Sequence, residues 1–75
     1  MNQRYIPADD DFAGLCDHLQ EECAELIKAI AKMKRFGQKA QDPHQDVTYN
    51  NAADVIMEHA DVDMAMTRLR KHLRP

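Results

Sequence analysis

Two short acidic motifs contain the residues of this sequence that are best suited to chemistry. Residues 21–25 read Glu-Glu-Cys-Ala-Glu, and residues 58–61 read Glu-His-Ala-Asp. Side chains three positions apart lie on one side of a helix, so each motif presents a pair of carboxylates to one side. Carboxylate oxygens without Cys or His ligands beside them favour Mg²⁺ or Mn²⁺ over zinc. The motifs together predict one divalent-metal site that two helices share.

Both motifs fall in segments with helical periodicity. Apolar side chains recur at alternating steps of four and three residues from about residue 9 to 36, and again from about residue 51 to 73. Gly37 marks the end of the first helix, and the polar connection from about residue 37 to 50 is punctuated by Asp42-Pro43. The predicted seams are Phe12, Cys16, Leu19, Cys23, Leu26, Ile30 and Met33, then Ala52, Val55, His59, Val62, Met66, Leu69 and Leu73.

Polar residues with capping oxygens precede each predicted helix. Residues 9–11 are three aspartates, which supply N-cap oxygens and negative charge where the helix dipole favours it. Before the second helix, Asp46, Thr48 and Asn50 each qualify as the N-cap. The start of the second helix therefore stays open.

A chain of 75 residues is one domain at most, and two long helices joined by a medium loop predict an antiparallel hairpin. A hairpin alone cannot enclose a core. The second helix also carries apolar residues away from its seam, which are Ile56, Met57, Ala60 and Met64. We therefore predict an all-α fold in which the hairpin completes a four-helix bundle by homo-oligomerisation, as a homodimer or homotetramer.

In an antiparallel pair, both acidic motifs project to the same side of the helix contact. Glu25 and Asp61 also lie at similar distances from the turn, roughly 15 to 17 Å along the helix axes. The predicted metal ligands are Glu22, Glu25, Glu58 and Asp61. The alternative is a solvated acidic surface with ordinary helix ion pairs, such as Glu25 with Lys28.

Three further residues lie close to this predicted site. Asp54 is a fifth candidate ligand or a compensator of the helix dipole. His18 is one turn before Glu22 and is expected to be a neighbour of the site. His59 falls in the second seam and is expected to be a core or interface residue.

Composition narrows the function classes. The net charge is −3, from 13 acidic residues and 10 Lys and Arg residues, which argues against binding a nucleic acid polymer. The sequence has no apolar run of membrane-spanning length and no signal-peptide pattern, so we predict no membrane partner. Cys16 and Cys23 are too far apart on one helix for a disulfide. These features predict a cytoplasmic protein.

At residues 21–25 and 58–61 the chain resembles the MazG-like all-α nucleoside triphosphate pyrophosphohydrolases. Their signature is Glu-Glu-x-x-Glu on one helix and Glu-x-x-Asp on the next. The flanking residues 25–29 and 60–62 are similar to the family as well, and the resemblance covers about residues 12 to 73. It implies a helical domain over residues 1–75 that hydrolyses a nucleoside triphosphate to a nucleoside monophosphate and pyrophosphate.

The resemblance also implies roles for individual residues. The four predicted ligands would hold Mg²⁺ or Mn²⁺ on the nucleotide phosphates, and Glu21, Glu22 or a neighbouring carboxylate would orient or deprotonate the attacking water. Residues expected to contact the substrate are Lys28, Lys32, Arg35 and Asn51. House-cleaning of non-standard or surplus dNTPs is the expected role.

Three rival functions use the same residues differently. The first is a non-catalytic helical protein of this lineage that binds a nucleotide or a protein partner. The second is a di-iron carboxylate bundle, which is disfavoured because neither helix has the Glu-x-x-His step of that class. The third is a coiled-coil adaptor. The sequence names neither the base nor the sugar of a substrate.

Overall fold

A computed structural model of the chain describes residues 6–39 and 50–75. Within these ranges the fold has two α-helices, α1 (Phe12–Phe36) and α2 (Asn51–Arg70), and no strand. The helices pack against each other. They run antiparallel, because the C-terminal end of α1 contacts the start of α2 and the segment before α1 contacts the end of α2. The all-helical, two-helix prediction is confirmed.

α1 is bounded by the two residue types that the sequence indicated. Asp11 is the N-cap, and its side chain accepts a hydrogen bond of 3.0 Å from the backbone N–H of Gly14. The helix therefore begins at Phe12, three residues later than predicted, and residues 9 and 10 form a turn before it. Gly37 follows the helix with a φ of 95°, a left-handed value that favours glycine.

The start of α2 is fixed to the end of α1. Asn50 is the N-cap, which selects one of the three residues left open by the sequence, and its side chain accepts from Ala53. The buried Asn51 side chain donates a hydrogen bond of 2.9 Å to the carbonyl oxygen of Gly37. The backbone N–H of Ala52 donates to Gln38 at 3.0 Å. The predicted connection and the caps Asp46 and Thr48 fall largely on residues 40–49, outside the described residues.

α2 ends at Arg70, three residues before the predicted boundary. The backbone N–H groups of His72 and Leu73 donate to Leu69 and Arg70, three residues back, at 2.9 and 3.1 Å. This tighter pattern closes the last turn in place of further α-helix.

Residues 6–11, which we call the N-terminal strap, cross from α1 to the C-terminal end of α2. Pro7 is fully buried. The Arg68 guanidinium donates to the carbonyl oxygen of Pro7 and, at 2.8 Å, to the Asp9 carboxylate. The ring nitrogen Nε2 of His72 lies within hydrogen-bond distance of the Asp9 carbonyl oxygen, and its ring packs 6.1 Å from that of Phe12. The sequence indicated only the helix-capping role of residues 9–11 in this segment.

The buried face of α1 differs from the predicted seam. Its most buried residues continue one row of alternating steps, namely Leu15, Leu19, Glu22, Leu26, Ala29 and Met33. At 100° per residue this row is rotated by roughly 50° from the predicted one, toward Glu22. Phe12 and Ile30 are 50% and 38% exposed as a result. The predicted seam is an apolar stripe of α1, as expected. The contact with α2 is centred beside this stripe and not on it.

α2 is rotated in the same way, toward its acidic motif. Asn51, Ala65 and Leu69 are buried, and Glu58 is half-buried beside them. His59, predicted inside the seam, is exposed, and its Nδ1 lies 3.6 Å from the carboxylate of Asp63 one turn on. His59 is therefore not a core residue of the helix pair, and its position at an interface with another chain remains a prediction.

The two helices leave broad apolar surface in contact with solvent. The chain is a slab with principal extents of 43 × 30 × 16 Å, close to one layer of helix and its side chains. Among the described residues the buried apolar side chains within the helices are Leu15, Ala29, Ala65 and Leu69. Large apolar residues on the outer face of the pair include Ile27 at 68% exposed and Ile56 at 72% exposed.

In the described part of the chain, neither helix combines the length and the apolar character that crossing a membrane requires.

Candidate metal centre

Three carboxylates from the two acidic motifs meet between the helices. Glu22 comes from α1, and Glu58 and Asp61 come from α2, and one carboxylate oxygen of each lies within 4.8 Å of the others. Glu22 is only 4% exposed, while Glu58 and Asp61 are half-buried. We call these three residues the carboxylate cluster.

The rotation of both helices brings this cluster together. Glu22 belongs to the row of α1 that faces α2, and Glu58 occupies a matching position on α2. Asp61 lies three residues after Glu58, on the same side of α2. The carboxylates therefore lie inside the helix contact, closer to its centre than the flank that the sequence predicted.

His18 supports the buried member of the cluster from one turn earlier on α1. Its Nε2 lies 3.5 Å from Oε1 of Glu22, and the two side chains are 15% and 5% exposed. The other ring nitrogen, Nδ1, is buried and has no hydrogen-bond partner among the described residues. The contact places His18 beside the Glu22 carboxylate, and the sequence prediction of His18 as a neighbour of the site agrees with this position.

A cleft of about 390 Å³ opens beside the cluster. The polar residues of its lining are His18, Glu22 and Asp61, together with Arg68, which contributes a permanent positive charge. The remaining lining is apolar and comes from Ile6, Met64 and Ala65. The cleft therefore combines an acidic group, a cation and an apolar wall.

The donor set of the cluster suits a hard divalent cation. All three groups are carboxylates, the ligand type of Mg²⁺, Mn²⁺ and Ca²⁺. Opposed oxygens about a Mg²⁺ ion lie about 4 Å apart, since each bond is about 2.0–2.1 Å long. The carboxylate oxygens of the cluster lie within 4.8 Å of one another, so small side-chain movements would bring them to this separation. Like charges at such separations repel, and a cation between them reduces the repulsion.

Two acidic residues of the first motif lie outside the carboxylate cluster. Glu21 and Glu25 are both exposed on α1. With Glu22 near the centre of the buried row, Glu25 is displaced around the helix by about 60°, away from α2. The structure thus brings together three of the four predicted ligands, and the roles of Glu25 and Glu21 remain predictions.

The predicted substrate-contacting residues lie apart from the cleft lining that the structure describes. Lys28, Lys32 and Arg35 are exposed on α1, and the Arg35 guanidinium sits 5.2 Å from the ring of Phe36. Asn51 is buried, with its amide bonded to Gly37. In this structure Asn51 joins the two helices, and a substrate contact for it remains a prediction.

Arg68 was missed as a site residue by the sequence reading. It belongs to the basic residues in the last turn of α2, where cations complement the helix dipole. A signal was present, because Arg68 lies seven residues after Asp61 and so shares its side of the helix. No feature of the sequence indicated that Ile6 lines the cleft, because its position depends on the path of the N-terminal strap.

Comparison with known proteins gave no match to any protein-family profile, curated protein or solved structure. The resemblance to the MazG-like pyrophosphohydrolases therefore stays a prediction from two motifs.

Proposed function

We propose that this protein is a Mg²⁺- or Mn²⁺-dependent nucleoside triphosphate pyrophosphohydrolase. The observation that supports the proposal is the carboxylate cluster, in which both acidic motifs contribute oxygens to one buried point beside a cleft. An acidic surface formed by chance would spread these charges into solvent. In this protein one of the charged residues, Glu22, is only 4% exposed.

In the proposed site Glu22, Glu58 and Asp61 hold the metal ion against the phosphates. The bound ion would polarise the phosphoryl group and offset the charge that develops during hydrolysis. His18 keeps the Glu22 carboxylate directed toward the cluster. The resemblance assigns the orientation of the attacking water to Glu21, Glu22 or a neighbouring carboxylate, and Glu21 and Glu25 are solvent-exposed in the single chain. The apolar wall of Met64 and Ala65 suits the base or ribose of a nucleotide.

We further propose that the active form is a homodimer or homotetramer with a four-helix core. The support is the apolar surface left open by a slab 16 Å thick, including Ile27 and Ile56. Chains of this length rarely bury enough apolar area alone. A second copy would cover this surface and would also enclose the substrate more completely.

The test is pyrophosphate release from a panel of dNTPs and NTPs with Mg²⁺ and with Mn²⁺. The variant Glu22→Gln keeps the size of the side chain and removes its charge, so we expect release to fall about a thousandfold, near the upper range for loss of one electrostatic contact to a transition state. Asp17→Asn is the matched control, since Asp17 is an exposed acid on the same helix outside the cluster. We expect that control to remain within about twofold of the parent.

Glu25→Gln distinguishes a three-ligand from a four-ligand site. A loss as large as that of Glu22→Gln would bring Glu25 to the metal during turnover. No release of pyrophosphate from any nucleotide by a folded protein would reject the hydrolase proposal. The non-catalytic binder would then be the better reading, provided that Mn²⁺ still stabilises the parent and not Glu22→Gln.

A further inference from the structure

The cation of the cleft is engaged by the chain's own N-terminal strap. Arg68 lines the same cleft as Glu22 and Asp61. Its guanidinium donates from Nε and Nη2 to one oxygen of Asp9, at 3.3 and 2.8 Å, and also to the carbonyl oxygen of Pro7. An oxyanion therefore already occupies the hydrogen-bonding edge of the guanidinium.

The contact between Asp9 and Arg68 is of a kind that a stronger anion can displace. The Asp9 side chain is 92% exposed, and Arg68 is 26% exposed. Exposed ion pairs contribute little to stability, because water screens them and holding the side chains in place costs entropy. A phosphate group carries more charge than a carboxylate and accepts two parallel hydrogen bonds from arginine.

The position of Arg68 relative to the carboxylate cluster suits a ligand with several phosphates. Arg68 lies two helical turns after Asp61, about 10.5 Å along the axis of α2. Ala65 lies between them on the same side of the helix, and all three residues line one cleft. A ligand that has a metal-bound phosphate at the carboxylates can extend another phosphate or its sugar toward Arg68.

We propose that Arg68 is an anion-binding residue of this cleft and that Asp9 occupies it as an internal competitor for a phosphate group of the ligand. The nature of the ligand rests on the proposed function. The strap is then a self-inhibitory contact. The buried Pro7 keeps it attached while the carboxylate of Asp9 exchanges with the incoming phosphate.

Competition predicts opposite effects from removing its two partners. Asp9→Ala takes away the competitor, so we expect inorganic pyrophosphate to bind about three- to tenfold more tightly. This factor is the affinity lost while Asp9 occupies Arg68 in part of the molecules. Arg68→Gln takes away the binding group, and we expect binding about tenfold weaker or more, as for loss of a charge-assisted hydrogen bond. In Asp9→Ala/Arg68→Gln the gain from Asp9→Ala should disappear.

The experiment is isothermal titration calorimetry of the full chain with inorganic pyrophosphate, in the presence of Mg²⁺. Asp10→Ala is the matched control for Asp9→Ala, because Asp10 is an exposed acid in the same turn. Arg70→Gln is the control for Arg68→Gln, because Arg70 is an exposed cation on the last turn of α2. Circular dichroism verifies the fold of each variant, and Arg68→Lys retains the charge if Arg68→Gln does not fold.

The two proposals fail in different ways. Pyrophosphate binding that follows the predicted pattern, without hydrolysis of any nucleotide, supports the anion site and rejects the hydrolase. Hydrolysis that depends on Glu22, with pyrophosphate affinity equal in Asp9→Ala and Asp10→Ala, rejects the internal competitor and leaves the hydrolase. Weaker binding in Asp9→Ala than in Asp10→Ala also overturns the inference, since the strap would then support the site.

Discussion

The inner and outer faces of the helix pair each carry side chains that are unusual for their position. The inner face, where α1 meets α2, contains the carboxylate cluster and the buried Asn51. The outer face exposes large apolar residues such as Ile27 and Ile56. A stable monomer is expected to bury apolar side chains and expose acids. The buried carboxylates agree with the proposed metal site, and the exposed apolar side chains agree with the proposed contact with another chain.

The few apolar side chains of the inner face should carry most of the stability of a single chain. Leu15 is 1% exposed, so Leu15→Ala should lower the free energy of unfolding by about 2–4 kcal/mol through lost transfer energy and the cavity that remains. Ile27→Ala, on the outer face, should change it by less than about 0.5 kcal/mol in dilute protein. Chemical denaturation at two protein concentrations measures both.

The two concentrations give the control for that comparison. The effect of Leu15→Ala should be similar at both, whereas Ile27→Ala should cost more at the higher concentration if a second copy covers the outer face. Equal losses for the two variants in dilute protein would remove the distinction between the faces.

Association should depend on the outer face alone. Ile56→Ser exposes a hydroxyl where a partner would need an apolar side chain, and burial of one isoleucine is worth about 1.5–3 kcal/mol. We expect the dissociation constant of the oligomer to rise about tenfold or more, since each 1.4 kcal/mol is a factor of ten. Sedimentation velocity over a dilution series measures this.

The helicity of Ile56→Ser should match the parent, because Ile56 is 72% exposed in the single chain. A parent protein that sediments as a monomer at all concentrations would contradict the assembly. If Ile56→Ser shows the same sedimentation distribution as the parent, the interface does not include Ile56.

The smallest effect concerns the strap that joins the inner cleft to the outer surface. The hydrogen bond and charge of Arg68 hold the pKa of Asp9 below its ordinary value of 3.8. The folded-state pKa is thus below the unfolded one. The contact therefore stabilises the fold above about pH 4 and loses this contribution as the pH falls through the folded-state pKa.

Thermal unfolding from pH 6 to pH 2 measures the contribution of Asp9. The melting temperature of Asp9→Ala should fall less steeply on acidification than that of Asp10→Ala. Because the Asp9 carboxylate is solvent-exposed, the difference should be small and should shrink further in high salt. Identical pH profiles for the two variants would show that the Asp9 carboxylate does not contribute measurably to stability.

The sequence allowed prediction of features that depend on neighbours along the chain. Gly37 ends α1 because a left-handed φ favours glycine, and Asp11 and Asn50 cap helices through bonds to residues three positions on. The pairing of two long helices followed from their periodicity. The meeting of Glu22 with Glu58 and Asp61 followed from the spacing of the two motifs on those helices.

Features that depend on the choice between two helix faces were not predictable in this way. Hydropathy identified the stripe through Phe12 and Ile30 but could not tell whether it faces α2 or solvent. The observed row of α1 contains the buried Ala29, and the buried face of α2 contains Ala65. Small side chains permit close approach of two helices. His59 and Glu25 were misplaced for this reason. The strap was missed because its contacts join residues 59 to 63 positions apart.

The hydrogen bonds between the ends of the two helices also have a consequence for evolution. These bonds join Asn51 to Gly37 and Ala52 to Gln38. They set the register of α2 on α1 where α1 ends and α2 begins. The intervening residues then close a loop whose ends are already held together. The entropic cost of such a loop rises by only about 0.6 kcal/mol for each doubling of its length. We therefore expect the chain to tolerate insertions and deletions in the connection while the carboxylates keep their spacing.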